Sequence, residues 1–299
     1  MSPDNELDQF IKTRFKHLLP SECEGGIRVL YHYTTLDTLR IITQRDADFL
    51  CTYCATMNDR AEFATGLKVI EQFIRRHPEY VDGLTLDAIK EVAMNPQYAP
   101  WSMSFSTNGD SLNQWIAYTD KHDGGVAVGF DINQLYERLS DIKNKSSIMF
   151  LSPCLYEVSN ENEIEELLAF LFGPYKKCLC AKGCEKSPSM SRDKMSQYIS
   201  FLLALIFSSV IKDESFRLEH EWRLVVHPLD TEKVRDCVFI GGKPRIPTGV
   251  FGHDFMLANS IKRIVCSPHG GAIDKVEIIT KLRQLRVVPV PSVSTYTTI

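Results

Sequence analysis

Trp101-Ser102-Met103-Ser104-Phe105-Ser106 places serine at every second position between large apolar residues. A strand turns successive side chains to opposite faces. The run therefore predicts a strand with a core face, Met103 and Phe105, and a polar face, Ser102, Ser104 and Ser106. Two other segments share this design. Ile27 to Tyr33 follows the break at Gly25-Gly26, is rich in β-branched and aromatic residues, and presents His32 and then Thr34. Glu219 to Val226 sets Glu219, Glu221 and Arg223 against Trp222, Leu224 and Val226. If the three polar faces align, an imidazole, hydroxyls, carboxylates and a guanidinium meet in one cleft, which suits a ligand with ribose and phosphate. The same periodicity also describes a sheet side facing water.

Working outward, Thr34 or Thr35 can cap a helix over Leu36 to Gln44, Asp48 to Ala55 reads as a short strand, and Ala61 to Arg76 is a helix closed by Pro78. Ser111 to Tyr118 predicts a short helix and Val126 to Phe130 an apolar strand. Cys154 to Val158 is a further strand, followed by a helix over Glu161 to Phe172 with an acidic first turn. Tyr175 to Lys186 reads as a basic connector, and Ser191 to Ile211 as a long helical region. Strands are expected at Val234 to Ile240, Ile261 to Cys266 and Val287 to Val290, with a helix over Lys275 to Arg283. The class is α+β. Leu7, Phe10, Ile11, Phe15 and Leu18 form one helical stripe, so residues 1–26 are expected to be a helical cap. Residues 27–299 then form a single domain with a helical insertion around 160–211.

The 299 residues suffice for a large core without a metal or disulfide. A hydrophobic share of 44%, a charged share of 24% and a mean hydropathy of -0.14 exclude a disordered or fibrous chain. The formal charge of -4 leaves no global field for gathering nucleic acid. Met1 to Arg14 lacks an apolar signal core and the nine cysteines are odd in number, so cytoplasm and free thiols are expected. The apolar run Tyr198 to Ile211 has 14 residues, too short for a bilayer. It is expected to be a buried helix, and no membrane partner is expected.

Cys51 and Cys54 form a C-x-x-C without a second pair. Cys178, Cys180 and Cys184 would need one distant His to bind zinc, but also read as reactive surface thiols on the connector. No metal is expected. Asn58, Asp59 and Glu62 suit a helix cap as well as a cleft rim, and Trp115 with Tyr118 suits a core as well as a ligand stack. His122, His227 and His269 receive no role. The chain holds no G-x-S-x-G, P-loop, G-x-G-x-x-G or H-E-x-x-H, which removes the common hydrolase, NTPase, dinucleotide-oxidoreductase and zinc-protease readings.

Across roughly residues 28 to 270, a succession of motifs resembles the bacterial and phage family called domain of unknown function 2971. The motifs are Leu30-Tyr31-His32-Tyr33-Thr34, Met57-Asn58-Asp59 with Glu62, Ser104-Phe105-Ser106, Trp115 with Tyr118, Gly125 to Phe130, and Glu219-His220-Glu221-Trp222-Arg223-Leu224. The first motif also resembles that of ADP-ribosyltransferases, above all toxins of DNA ADP-ribosylation systems and RNA 2'-phosphotransferases. This likeness implies a split central sheet, mixed or antiparallel, flanked by helices. It implies NAD as substrate, cleavage of the nicotinamide glycosidic bond, and transfer of ADP-ribose to a protein, nucleic acid or other acceptor, in bacterial defence or toxin action. The residues implied as catalytic are Glu221 first, Glu219 next, and His32. Those implied to bind the dinucleotide are His32, Tyr33, Thr34, Asn58, Asp59, Ser104, Ser106, Trp115, Tyr118 and Arg223. The middle strand lacks the tyrosine of the histidine-tyrosine-glutamate branch. The rival from another class is a nucleotide-binding sensor or interaction module without chemistry. A nuclease is the third reading, and it lacks an acidic metal cluster and a basic tract.

Overall fold

The computed structural model describes residues 3–23, 26–44, 48–56, 60–80, 98–119, 124–140, 147–186, 191–229, 231–240, 242–251, 257–268, 280 and 282–293. Its strands are β1 (Val29–Thr34), β2 (Leu50–Tyr53), β3 (Trp101–Ser106), β4 (Val126–Asp131), β5 (Ser147–Pro153) and β6 (Leu155–Tyr156). There follow β7 (Ile211–Lys212), β8 (Glu221–Pro228), β9 (Val238–Ile240), β10 (Lys243–Pro247), β11 (Ile261–Cys266) and β12 (Pro289–Pro291). The helices are α1 (Pro3–Arg14), α2 (Leu36–Ile42), α3 (Arg60–Arg76), α4 (Leu112–Tyr118), α5 (Ile132–Ser140), α6 (Glu161–Phe170), α7 (Lys176–Lys186), α8 (Arg192–Phe207) and the one-turn α9 (Leu257–Ser260).

The serine-alternating strand β3 is the branch point. It pairs antiparallel with β8 along its whole length, from Trp101↔Val226 to Ser106↔Glu221. A strand has two hydrogen-bonding edges, so β1 and β2 must divide the other one. β1 joins at Tyr31↔Ser106, and β2 joins at Thr52↔Ser102 and Tyr53↔Trp101. The sheet therefore forks between β1 and β2. From β1 it continues through β4, β11 and β12, from β2 through β10 and β9, and from β8 to β5, making ten strands. The β11–β12 pair is parallel. The fold is thus α+β, with a mixed, open central sheet flanked by helices.

One face of the sheet is mostly apolar. Leu30, Trp101, Met103, Phe105, Val128, Phe130, Leu151, Trp222, Leu224 and Val226 pack there against Leu39 and Ile42 of α2 and Leu135 and Tyr136 of α5. The opposite face has two separate apolar coverings. Tyr31, Tyr33, Ala127 and Val265 lie under Trp115 of α4. Phe150 and Val225 lie under a helical layer built from α1, α3, α6 and α8. Between these coverings runs a strip of Ser102, Ser104, Ser106, Glu221 and Arg223, which the register of β3 and β8 puts on that face.

The helical layer reaches this strip through a close contact. Gly66 of α3 lies against Ser208, and a Cβ at position 66 would overlap the Ser208 carbonyl. Residues 208–210 form one tight turn that delivers β7, and β7 pairs in parallel with β6 at Leu155↔Ile211 and Tyr156↔Lys212.

Several sequence expectations are corrected. The N-terminal helix turns its expected stripe inward: Leu7, Ile11 and Phe15 are at most 2% exposed and belong to the core of the helical layer. The basic connector is largely helix α7. β5 and β10 were not expected, because β5 is a run of apolar residues without alternation and β10 carries Pro244 and Pro247. The strand expected at Cys154 to Val158 shrinks to Leu155–Tyr156. Glu219 precedes β8 in a 3-10 turn, separated from it by His220 in left-handed conformation at φ 46°. Most of the helix expected at Lys275 to Arg283 lies outside the described residues. Among the described residues no helix is long and apolar enough to cross a membrane.

His227 on β8 is 3% exposed, and its Nδ1 is buried without a hydrogen-bond partner among the described residues. Burial pushes its pKa down to about 4. The imidazole therefore stays neutral in the fold while the unfolded chain titrates near 6.5. Stability is retained above that value and lost as pH falls through about 4, by an amount on the order of 3 kcal/mol from this group. Urea titrations of wild type and His227→Leu at pH 7 and pH 4 should show the variant losing less stability on acidification; equal losses would contradict the assignment.

Candidate functional site

The polar strip opens into a pocket lined by Tyr31, His32, Tyr33, Ser104, Phe105, Ser106, Gln114, Tyr118, Glu219 and Glu221, with a volume of about 50 Å³. This is room for the hydroxylated edge of a sugar rather than for a whole ring. Its back wall is charged. Lys212, 1% exposed, donates from Nζ to Glu219 Oε2 at 2.7 Å and to Glu221 Oε2 at 2.6 Å. Arg223 donates from Nε to Glu221 Oε1 at 2.8 Å, from Nη2 to Glu221 Oε2 at 3.1 Å, and from Nη1 to the Ser209 carbonyl at 2.5 Å. Burial alone would raise the Glu221 carboxyl. The Arg223 guanidinium and then the Lys212 ammonium overcome this and hold it well below the usual carboxylate range.

The backbone fixes these groups. Tyr156 Oη accepts from the Glu221 amide at 3.1 Å, and Glu221 O accepts from the Cys154 amide at 2.9 Å. Ser106 Oγ donates to the Glu219 carbonyl at 2.8 Å. The left-handed turn at His220 thus sets two glutamates on one lysine, although only Glu221 lies in the strand.

His32 reaches the pocket by way of the fork. Register puts it on the mostly apolar face, paired with Val128 and opposite in parity to Tyr31 and Tyr33. Beyond Ser106, however, β1 has parted from β3, and the imidazole enters the gap, where Nδ1 donates to the Ser104 carbonyl at 2.9 Å. Nε2 is then the acceptor nitrogen of the ring. Burial lowers the His32 pKa against the opposing pull of the Ser104 carbonyl, and the Arg245 charge lowers it further.

Residues 114–224 match the family described as "Protein of unknown function (DUF2971)". The matched stretch contains Lys212, Glu219, Glu221 and Arg223 and stops short of both β1 and β11. No curated protein and no solved structure matches the chain.

Of the residues singled out from the sequence, His32, Tyr33, Ser104, Ser106, Tyr118, Glu219 and Glu221 meet at the pocket. Tyr33 works through its hydroxyl, which donates to the Asn108 carbonyl and accepts from the Ser111 amide, both at 2.8 Å, and so seats the start of α4. Tyr118 stands 39% exposed at the mouth. Arg223 was expected to hold pyrophosphate, but its guanidinium is committed to Glu221 and Ser209. Trp115 is buried and donates from Nε1 to Asp110 Oδ1 at 2.8 Å, so it is core rather than rim. Thr34 is buried and does not line the pocket. Asn58 and Asp59 lie outside the described residues.

Cys51 faces one core and Cys54 the other. Cys178 and Cys180 lie on α7, where Cys178 Sγ contacts Glu6 Oε1 at 3.8 Å. The side chain of Cys184 is outside the description. Among the described residues, no three His, Cys, Asp or Glu side chains gather as a metal site.

Sequence reading missed Lys212 and Gln114. A lysine directly after the apolar run ending at Ile211 was the available signal, since such a residue is buried only with a charged partner. Replacing it tests the cluster. Lys212→Met leaves two carboxylates beside one guanidinium and should cost about 3–5 kcal/mol in urea unfolding at pH 7, with much of the loss recovered in Lys212→Met/Glu219→Gln, which keeps the Glu221–Arg223 pair. Unchanged stability of the single variant would contradict this account.

Proposed function

We propose that the pocket receives ribose hydroxyls of NAD and that the chain is an ADP-ribosyltransferase-like enzyme cleaving the nicotinamide glycosidic bond. The observation that carries this reading is the convergence of Glu219, Glu221 and His32 on one polar pocket beside a fork in the sheet. The roles differ from those expected from sequence. Glu221 is enclosed by Lys212 and Arg223 and acts as an anchor. The Glu219 side chain is 25% exposed against 6% for Glu221, so it is the carboxylate better placed to accept the ribose 2'-hydroxyl.

In the reaction, the C1'–N bond breaks and nicotinamide leaves with the bonding pair. Glu219 faces the oxocarbenium-like centre, and the acceptor's nucleophilic atom bonds to C1' while its proton passes to that carboxylate. Neutral His32 offers Nε2 as an acceptor for a hydroxyl, and Tyr118 covers the mouth.

One observation favours a second reading, nucleotide binding without chemistry. Lys212 and Arg223 neutralise the acid pair and so weaken the field that a cationic transition state requires. Calorimetry with NAD and a nicotinamide-release assay on the same preparation separate the two. Glu219→Gln should reduce release by about a hundredfold or more while leaving NAD affinity within a few-fold. Binding without release by wild type would establish the second reading, and absence of both would overturn the pair.

A further inference from the structure

A single row of residues crosses five strands in register. Glu221 on β8 pairs with Ser106 on β3, Ser106 with Tyr31 on β1, Tyr31 with Gly129 on β4, and Gly129 with Arg263 on β11. Direct antiparallel partners project to the same face. A carboxylate and a guanidinium therefore stand at the two ends of one row, four inter-strand spacings or roughly 19 Å apart along the backbone. Gly129 is what lets the far end lie flat. A Cβ there would come within 2.5 Å of Val29 Cγ1, 3.0 Å of the Tyr31 ring and 3.2 Å of Arg263 Cβ.

At the Arg263 end the same face opens into a second groove of about 450 Å³, lined by Cys23, Ile27, Val29, Lys262 and Arg263. Arg263 is exposed, and the groups it donates to are weak acceptors. Nη1 donates to Cys23 Sγ at 3.8 Å, and the guanidinium meets the Tyr31 phenol. Among the described residues no carboxylate pairs with it, whereas Arg28 is paired with Glu22 at 3.0 Å. Exposed Lys262 adds a second positive charge at the rim. A guanidinium held over an apolar wall of Ile27 and Val29, with a thiol and a phenol as its partners among the described residues, is suited to a phosphate.

We propose that this groove is an anion subsite in which Arg263, assisted by Lys262, holds the phosphates of a nucleotide whose ribose hydroxyls enter the polar pocket. The volumes divide the ligand accordingly: the groove falls in the range of small-molecule sites, and the pocket takes only a hydroxylated edge. Tyr31, 6% exposed beneath Gly109 and Trp115, is the wall between them, lining the pocket and meeting Arg263, so a ligand that reaches both sites goes round its ring rather than over it. The ribose part of this inference rests on the reading of the pocket given above; the anion part does not.

Calorimetric titrations of wild type and Arg263→Gln with ADP-ribose, inorganic pyrophosphate and nicotinamide riboside test it. Arg263→Gln should weaken ADP-ribose by roughly ten- to a hundredfold, abolish pyrophosphate binding and leave the phosphate-free riboside unchanged. Equal ADP-ribose affinity in the two proteins overturns the groove even if NAD is consumed. Arg263-dependent pyrophosphate binding without riboside binding upholds the groove while rejecting the ribose pocket. Failure of wild type to bind either phosphorylated probe also overturns the proposal.

Discussion

One edge of β3 cannot serve two strands over the same residues, and the site depends on this constraint. Because β8 occupies the other edge along its full length, β1 and β2 take opposite ends of what remains and diverge. The divergence leaves the Ser104 carbonyl to be satisfied by His32 rather than by a neighbouring strand. A side chain that parity assigns to the apolar face is thereby turned toward the polar strip. The two apolar coverings on that face stop on either side of the strip, so the serines and charges of β3 and β8 are left to one another and to whatever enters between them.

The charges are organised by an element of two residues. β7 contributes no breadth to the main sheet, yet it carries Lys212 to a point where one ammonium meets two carboxylates. Burying an ammonium is costly unless its partners are close and well oriented, and here Tyr156, Cys154 and Ser106 fix the two glutamates through backbone contacts, while the Ser209 carbonyl holds Arg223. The glutamate most enclosed by cations is the better anchor, and the one nearer solvent is the better reagent. Position in the strand alone would have ranked them in the reverse order.

Local periodicity made β3, β8 and β1 legible in the sequence, and with them most residues of the pocket, because a half-buried strand writes its two faces into alternate positions. What escaped detection was non-local. The fork exists only once the partners of β3 are known, so nothing in Leu30-Tyr31-His32 signals that register sets His32 on the face opposite the serines and that the fork lets its imidazole reach the pocket. β5 is apolar on both sides because both sides are covered, which erases the alternation used to find strands. Arg223 read as a candidate phosphate ligand because its type is visible in a sequence and its commitment to Glu221 and Ser209 is not. Arg263 drew no notice because its significance lies in the four residues aligned with it on other strands.

The burial of α1 bears on how the chain acquires its structure. Leu7, Ile11 and Phe15 pack with residues as distant as Leu167, Leu168 and Leu203, and β1 pairs with β4 and touches β3 across comparable separations. This segment must wait for the middle of the chain before its apolar stripe is sheltered. Such long-range closure slows assembly and leaves that stripe open to chaperones or self-association in the interval.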